Sequence, residues 1–211
     1  MNLDSHSFES MIGGISRRYV LICGRVDMIS SKITLKDGRM VTLRSAAPED
    51  AEAMIAFVNT VDAESPFLAR EPGEFSFTPD QEREFIEAWI KDDRALWLVA
   101  EAEGQIIASV NVQAVRKMSR FRHRAMFAVS VRKAYWRQGL GRRMMAEALL
   151  WCKQAGFEQA ELTVVAGNEK AIALYESFGF ERTGVYQNSM RYSDGTCADE
   201  YFMWRPLSKM G

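Results

Sequence analysis

The stretch Val129-Ser130-Val131-Arg132-Lys133-Ala134-Tyr135-Trp136-Arg137-Gln138-Gly139-Leu140-Gly141-Arg142-Arg143 constrains the fold more than any other part of the chain. It reads as a strand ending at Val131, then a short turn, then a helix. In the helix, Leu140, Met144, Met145, Ala148, Leu149 and Cys152 recur at helical spacing. A strand that feeds through a glycine-bearing loop into an amphipathic helix commits the chain to a layered α/β packing. The opening turn of such a helix leaves N–H groups without intrahelical partners and carries the positive end of the dipole, so it suits an oxyanion. Gly139 and Gly141 let an anion approach the backbone, and Arg137, Arg142 and Arg143 add local positive charge. Taken alone, a Gly-x-Gly is weak evidence, and the two glycines read more simply as a loop before a helix. The Walker pattern GxxxxGK[ST] is absent, and the dinucleotide fingerprint GxGxxG fails at Met144.

Charge and composition narrow the function classes. Lys and Arg number 27 against 28 Asp and Glu, a net charge of −1, so no global field would hold a nucleic acid and any phosphate recognition must be local. Cys23, Cys152 and Cys197 form no CxxC pair, and with only His6 and His123 available neither a disulfide framework nor a metal site is expected. The apolar run Tyr19 to Cys23 is too short to span a membrane and lacks a signal-peptide cleavage pattern, so no membrane role and a cytoplasmic location are expected. Residues 1–32 are an extension that could be a tail, an added strand or an upstream start before Met28 or Met40. Residues 33–211 form one domain.

Along that domain the pattern predicts a hairpin around Asp37-Gly38, a first helix opening at Pro48-Glu49-Asp50, and an ordered proline-bearing loop from Asp62 to Pro79. A second helix from Asp80 to Lys91 follows, then strands Ala95–Glu101, Gln105–Gln113 and Ala125–Val131. The cluster Arg116, Lys117, Arg120, Arg122 and Arg124 reads either as a solvated hairpin tip or as an anion site. Helix Gly139–Ala155, strand Gln159–Val165, helix Asn168–Phe178 and a hairpin of Phe180–Tyr192 with Cys197–Arg205 complete it. The sum is a mixed α/β (α+β) domain with a mostly antiparallel sheet flanked by helices.

Downstream of the glycine loop stands Asn168-x-x-Ala171-x-x-x-Tyr175, followed by Phe178-Gly179-Phe180. With the loop, these residues resemble the GNAT superfamily of N-acyltransferases over about Met40 to Pro206. The resemblance implies a GNAT-like fold and acetyl-CoA as cofactor. It implies that the strand before the loop is splayed, so that Val129 and Val131 pair with the pantetheine arm. The amides of Arg137, Gln138, Gly139, Gly141 and Arg142 would then cradle the diphosphate, with Asn168 and Ala171 beside the arm. Asn168 can also cap its helix. The implied reaction is direct attack of a primary amine, from a small molecule or a peptide, on the thioester. Tyr175 matches the family's general acid, though the same residue also suits the apolar face of its helix.

An amine nucleophile must be neutral to attack, and a lysine side chain titrates near ~10.4, so a base or water relay is expected. Many family members carry a glutamate on the strand before the loop, where this chain has Met126; Glu161 and Glu64 are the substitutes. A second departure is Trp136, where Gln or Arg is commoner. In the family the acceptor site is walled by the loop between the first two helices and by the final hairpin, which nominates Glu64, Phe67, Arg70, Glu71 and Phe75. The missing glutamate also motivates an alternative from another class, a non-catalytic acyl-CoA-binding sensor or recruitment module. The aromatic last hairpin offers an edge for a homodimer, and Cys152, at helical spacing with Met145 and Leu149, reads as a buried structural thiol.

Overall fold

Residues 95–102 alternate so that Leu96, Leu98 and Ala100 face one side while Trp97 and Val99 face the other, and nearly all are buried. A strand covered on both faces lies inside a sheet with helices above and below. The computed structural model describes residues 6–12, 15–22 and 25–207, with side-chain surroundings from residue 30 onward. Cys23 lies outside the described residues.

The elements are β1 (His6–Ile12), β2 (Ile15–Ile22), β3 (Arg25–Thr34), β4 (Met40–Ser45), α1 (Ala51–Glu64), α2 (Pro79–Ile90), β5 (Ala95–Ala102), β6 (Gln105–Ala114) and β7 (Arg124–Val131), then α3 (Leu140–Gln154), β8 (Gln159–Val165), α4 (Glu169–Glu176), β9 (Glu181–Arg191) and β10 (Cys197–Pro206). Strand order is β1-β2-β3-β4-β5-β6-β7-β8-β10-β9. Every pairing is antiparallel except β7 with β8. Strands β3 to β10 make the mixed sheet that carries the site, with β1 and β2 added as a meander on its edge. β3 runs across the position between residues 32 and 33.

On one face α3 buries Leu140, Met144, Met145, Ala148, Trp151 and Cys152 together with Ile172 and Tyr175 of α4. On the other, Met54, Phe57 and Val61 of α1 and Ile86 of α2 pack on Trp97, Val99 and Ile106. At about 1.5–3 kcal/mol for each large apolar side chain buried, these two layers are the main stabilising contribution. α2 begins with a reciprocal cap: Thr78 Oγ1 accepts from Gln81 N–H at 3.3 Å, and Gln81 Oε1 accepts from Thr78 N–H at 2.8 Å, with Pro79 next.

α1 runs three residues into the loop expected from Asp62, ending at Glu64. The reason is local: Asp62 is 3% exposed and held by Arg70 Nε at 2.7 Å, Ser65 N–H closes the last turn onto Val61 O, and Pro66 prevents continuation. The arginine-rich tip is a solvated, locally paired hairpin end. Lys117 faces Asp92 at 3.8 Å, Arg122 faces Asp93 at 4.0 Å, and Arg124 pairs with Glu161.

Candidate active site

The parallel ladder between β7 and β8 has only three rungs, Arg124 to Met126 against Gln159 to Glu161. Beyond Met126 the strands part, while the other edge of β8 stays paired with β10 from Gln159 to Val165. Arg132 N–H donates to Ile107 O at 2.9 Å, so by the alternation of an antiparallel ladder Ser130 also faces β6 while Val129 and Val131 turn their N–H and C=O groups away, into the gap. There the sheet opens into a cleft of about 620 Å³ lined by Val129, Val131, the Trp136–Arg142 loop and the Asn168–Tyr175 turn and helix. Val129 is thus available to an extended ligand. Val131 is partly engaged, because Trp136 Nε1 donates to its carbonyl at 2.7 Å. The tryptophan that departs from the commoner motif props the free edge.

The glycine loop delivers its amides to the same cleft. Arg137 has φ 61° and Gly139 φ 85°, and Leu140 opens α3 immediately after. Only glycine adopts Gly139's conformation without strain. Gly141 faces the gap between Leu174 Cδ2 and Val131 Cγ2, 3.6 and 3.8 Å from where a Cβ would stand. The three arginines expected to supply charge diverge. Arg137 is exposed at the cleft, Arg142 donates to Ser177 Oγ at 2.8 Å and lies over Phe178, and Arg143 is bridged to buried Glu147 at 2.9 Å.

Asn168 caps α4, its Oδ1 accepting from Ala171 N–H at 3.3 Å. One helical turn on, Tyr175 is 8% exposed, its ring 6.0 Å from Phe180 and its edge on the cleft wall. Burial pushes its phenol up to about 12, so the hydroxyl keeps its proton throughout the physiological range. It is both a core residue and part of the cleft wall. Cys152, fully buried, has its thiol pushed well up by the same effect and is inert packing.

A second hollow of about 250 Å³ adjoins the first through the shared walls Ser65 and Leu68. It lies between residues 62–72 and Met190–Tyr192, and it contains Glu64, Arg70 and Glu71. Glu64 Oε2 accepts Lys133 N–H at 2.6 Å, tying the end of α1 to the turn after β7, while Glu71 Oε1 accepts Ser193 N–H at 2.9 Å, tying the loop to the last hairpin. Phe67 belongs to the larger cleft. Phe75 lines neither; it packs on Phe77 at 5.1 Å under Arg70. Glu161 also departs from its expected role. It has no exposed surface, its two oxygens are bound by Arg124, and Gln159 Nε2 donates to it as well. A carboxylate so engaged is an ion-pair partner rather than a proton acceptor for a substrate.

The family model that matches is the Acetyltransferase (GNAT) family, over residues 62–180, more than half of the chain. The chain belongs to the GNAT acetyltransferase family. Among solved structures, the acetyltransferase of GNAT family from Streptococcus pneumoniae superposes with a TM-score of 0.75 at 29% identity, covering 79% of this chain and 99% of that one. That of yncA from Salmonella typhimurium, solved with its cofactor acetyl-CoA, gives 0.70 at 21% identity over 81% and 96%, a likeness of fold. The [Ribosomal protein bS18]-alanine N-acetyltransferase of Escherichia coli (strain K12) is 36% identical over 83 residues, 39% of this chain and 55% of that protein. The chain spans about half the length or less of the curated relatives it matches, 55% and 39% for two of them.

Acetyl-CoA is the acyl donor of this GNAT family, and the residues present suit it: an unpaired strand edge for an amide-bearing arm, and a helix start with glycine at positive φ for a diphosphate. Sequence reading missed Lys36, Trp136 as a prop, and Lys170, whose ammonium lies 5.2 Å from the Trp136 ring at the cleft wall. Lys170 sits inside the recognised motif and was findable; Lys36 comes from a distant hairpin and carried no local signal. No helix among the described residues is long and apolar enough to cross a membrane.

Proposed function

We propose that the protein is an N-acetyltransferase that moves an acetyl group from acetyl-CoA to a primary amine of a small molecule or peptide. The observation that carries this reading is the parting of β7 from β8 beside the Gly139 helix start, with Tyr175 on the facing wall. Acetyl-CoA, when bound, supplies a thioester whose carbonyl carbon takes the amine nitrogen while the carbon–sulfur bond breaks. Val129 orients the arm, and the amides from Gln138 to Arg142 hold the diphosphate. Tyr175 donates a hydrogen bond, and finally the proton, to the departing sulfur. Glu64 is the proposed acceptor of the amine proton, since Lys133 N–H engages only its Oε2 and the residue lines the adjoining hollow. Arg70 and Glu71 would wall the acceptor there, and Phe67 would meet it from the larger cleft.

The fold domain is proposed to start near residue 33, with 1–32 as an extension, and the reducing cytoplasm as its setting, in keeping with the free thiols of Cys152 and Cys197. A homodimer along β9 is supported by that strand's place at the sheet edge and by Val185 and Tyr186, both more than half exposed. Light scattering at two concentrations tests it. Met126 in place of the usual glutamate favours a second reading, an acyl-CoA-binding sensor. An acetylation assay over a panel of amines and N-terminal peptides, with products identified by mass spectrometry, separates the two. Acetylated product supports the enzyme; tight acetyl-CoA binding with no product on any amine supports the sensor.

A further inference from the structure

The turn between β3 and β4 leans on the glycine loop, and it lies upstream of the matched residues 62–180. Lys36 N–H donates to Gln138 O at 3.4 Å. Arg39 donates to Ala134 O at 3.0 Å and stacks 4.0 Å over the Tyr135 ring. Asp37 fixes that arginine, accepting from its backbone N–H at 3.1 Å and from its Nε at 2.8 Å. The turn is therefore anchored at both sides of the loop, and the anchoring aims one side chain inward. Lys36 lines the large cleft, its Cε 4.0 Å from the point where a Cβ on Gly139 would stand.

The charge inventory gives this placement its meaning. Arg142 is turned to Ser177 and Phe178, and Arg143 is bridged to Glu147, so two of the loop's three arginines are directed elsewhere. The Lys36 ammonium has no carboxylate partner among the described residues and stands beside the most anion-ready part of the backbone. We propose that Lys36 is a phosphate ligand of coenzyme A, contributed by the β3–β4 turn to the diphosphate or the ribose 3′-phosphate. The proposal rests on reading the cleft as the acetyl-CoA site. A lysine ammonium on a phosphate oxygen makes a charge-assisted hydrogen bond, and its long flexible stem suits a point contact at the rim.

The test is calorimetric titration of the unliganded protein with coenzyme A and with dephospho-coenzyme A, for the wild type, Lys36→Ala and Lys36→Arg. Lys36 is exposed, so all three should melt together, which separates a binding loss from a folding loss. Lys36→Ala should weaken coenzyme A binding about tenfold, and Lys36→Arg should stay within about twofold of the wild type. If the loss vanishes with dephospho-coenzyme A, the contact is to the 3′-phosphate; if it persists, it is to the diphosphate. Unchanged affinity in Lys36→Ala, or equal losses in Ala and Arg variants, overturns the assignment of Lys36 alone. Failure of the wild type to bind coenzyme A overturns the cleft assignment and this proposal with it.

Discussion

Replacing Tyr175 by Phe removes one oxygen from a ring that is 8% exposed and leaves its packing 6.0 Å from Phe180 in place. Stability should change by less than about 1 kcal/mol. The effect on turnover can be bounded from the titration of the two partners. Burial holds the phenol at about 12, whereas a free thiol titrates near ~8.5, so full proton transfer to the leaving sulfur is uphill by roughly 5 kcal/mol. The larger share of the benefit is then a charge-assisted hydrogen bond to sulfur as negative charge develops, about 1.5–3 kcal/mol. That corresponds to a loss of about 10- to 150-fold in the chemical step. Single-turnover formation of the acetylated amine, followed by rapid acid quench and mass spectrometry, measures that step without interference from product release. The acetyl-CoA dissociation constant should move by less than about threefold. An unchanged single-turnover rate, or losses of equal size in rate and in binding, would refute the role given to the hydroxyl.

Three further outcomes follow from the same geometry. Gly139→Ala should destabilise by about 1–2 kcal/mol, because φ 85° is unfavourable for a residue with a Cβ, while Gly141→Ala, whose methyl meets only ordinary contacts, should melt at or above the wild type; equal melting losses in calorimetry would contradict this. Glu161→Gln should cost about 3 kcal/mol, the low end for a broken buried pair since Arg124 is 27% exposed, and leave the pH profile of the surviving activity unaltered; wild-type stability with a lost acidic limb would restore Glu161 as the base. Tyr175 has its folded-state pKa raised, so its contribution is intact below pH ~10 and is lost as pH rises towards 12, amounting to about 3 kcal/mol in all; urea titrations should show that decline in the wild type and a flatter curve in Tyr175→Phe.

The local elements were legible because each is written in a short window. The helical spacing of Leu140 to Cys152 and the alternation of 95–102 specify their own burial, and Asn168 announces its cap. The residues that line the large cleft were legible through one long motif whose parts lie close in sequence. What could not be read is what depends on pairing at a distance. Glu161 looked like a candidate base because sequence does not show Arg124 opposite it on the next strand. Arg142 and Arg143 counted as loop charge until their partners Ser177 and Glu147 were in view. Asp62 was assigned to a loop because its ion pair with Arg70, which steadies the last turn of α1, forms only once the loop folds back.

The central claim is a place for the coenzyme, and a crystal structure of the protein with coenzyme A tests it most directly. The account predicts the diphosphate on the amides of Gln138 to Arg142, the pantetheine arm along Val129 in the opening between β7 and β8, and the sulfur within hydrogen-bonding reach of the Tyr175 hydroxyl. Coenzyme A seated outside that opening, or with its sulfur on the far side of the sheet from Tyr175, would contradict it.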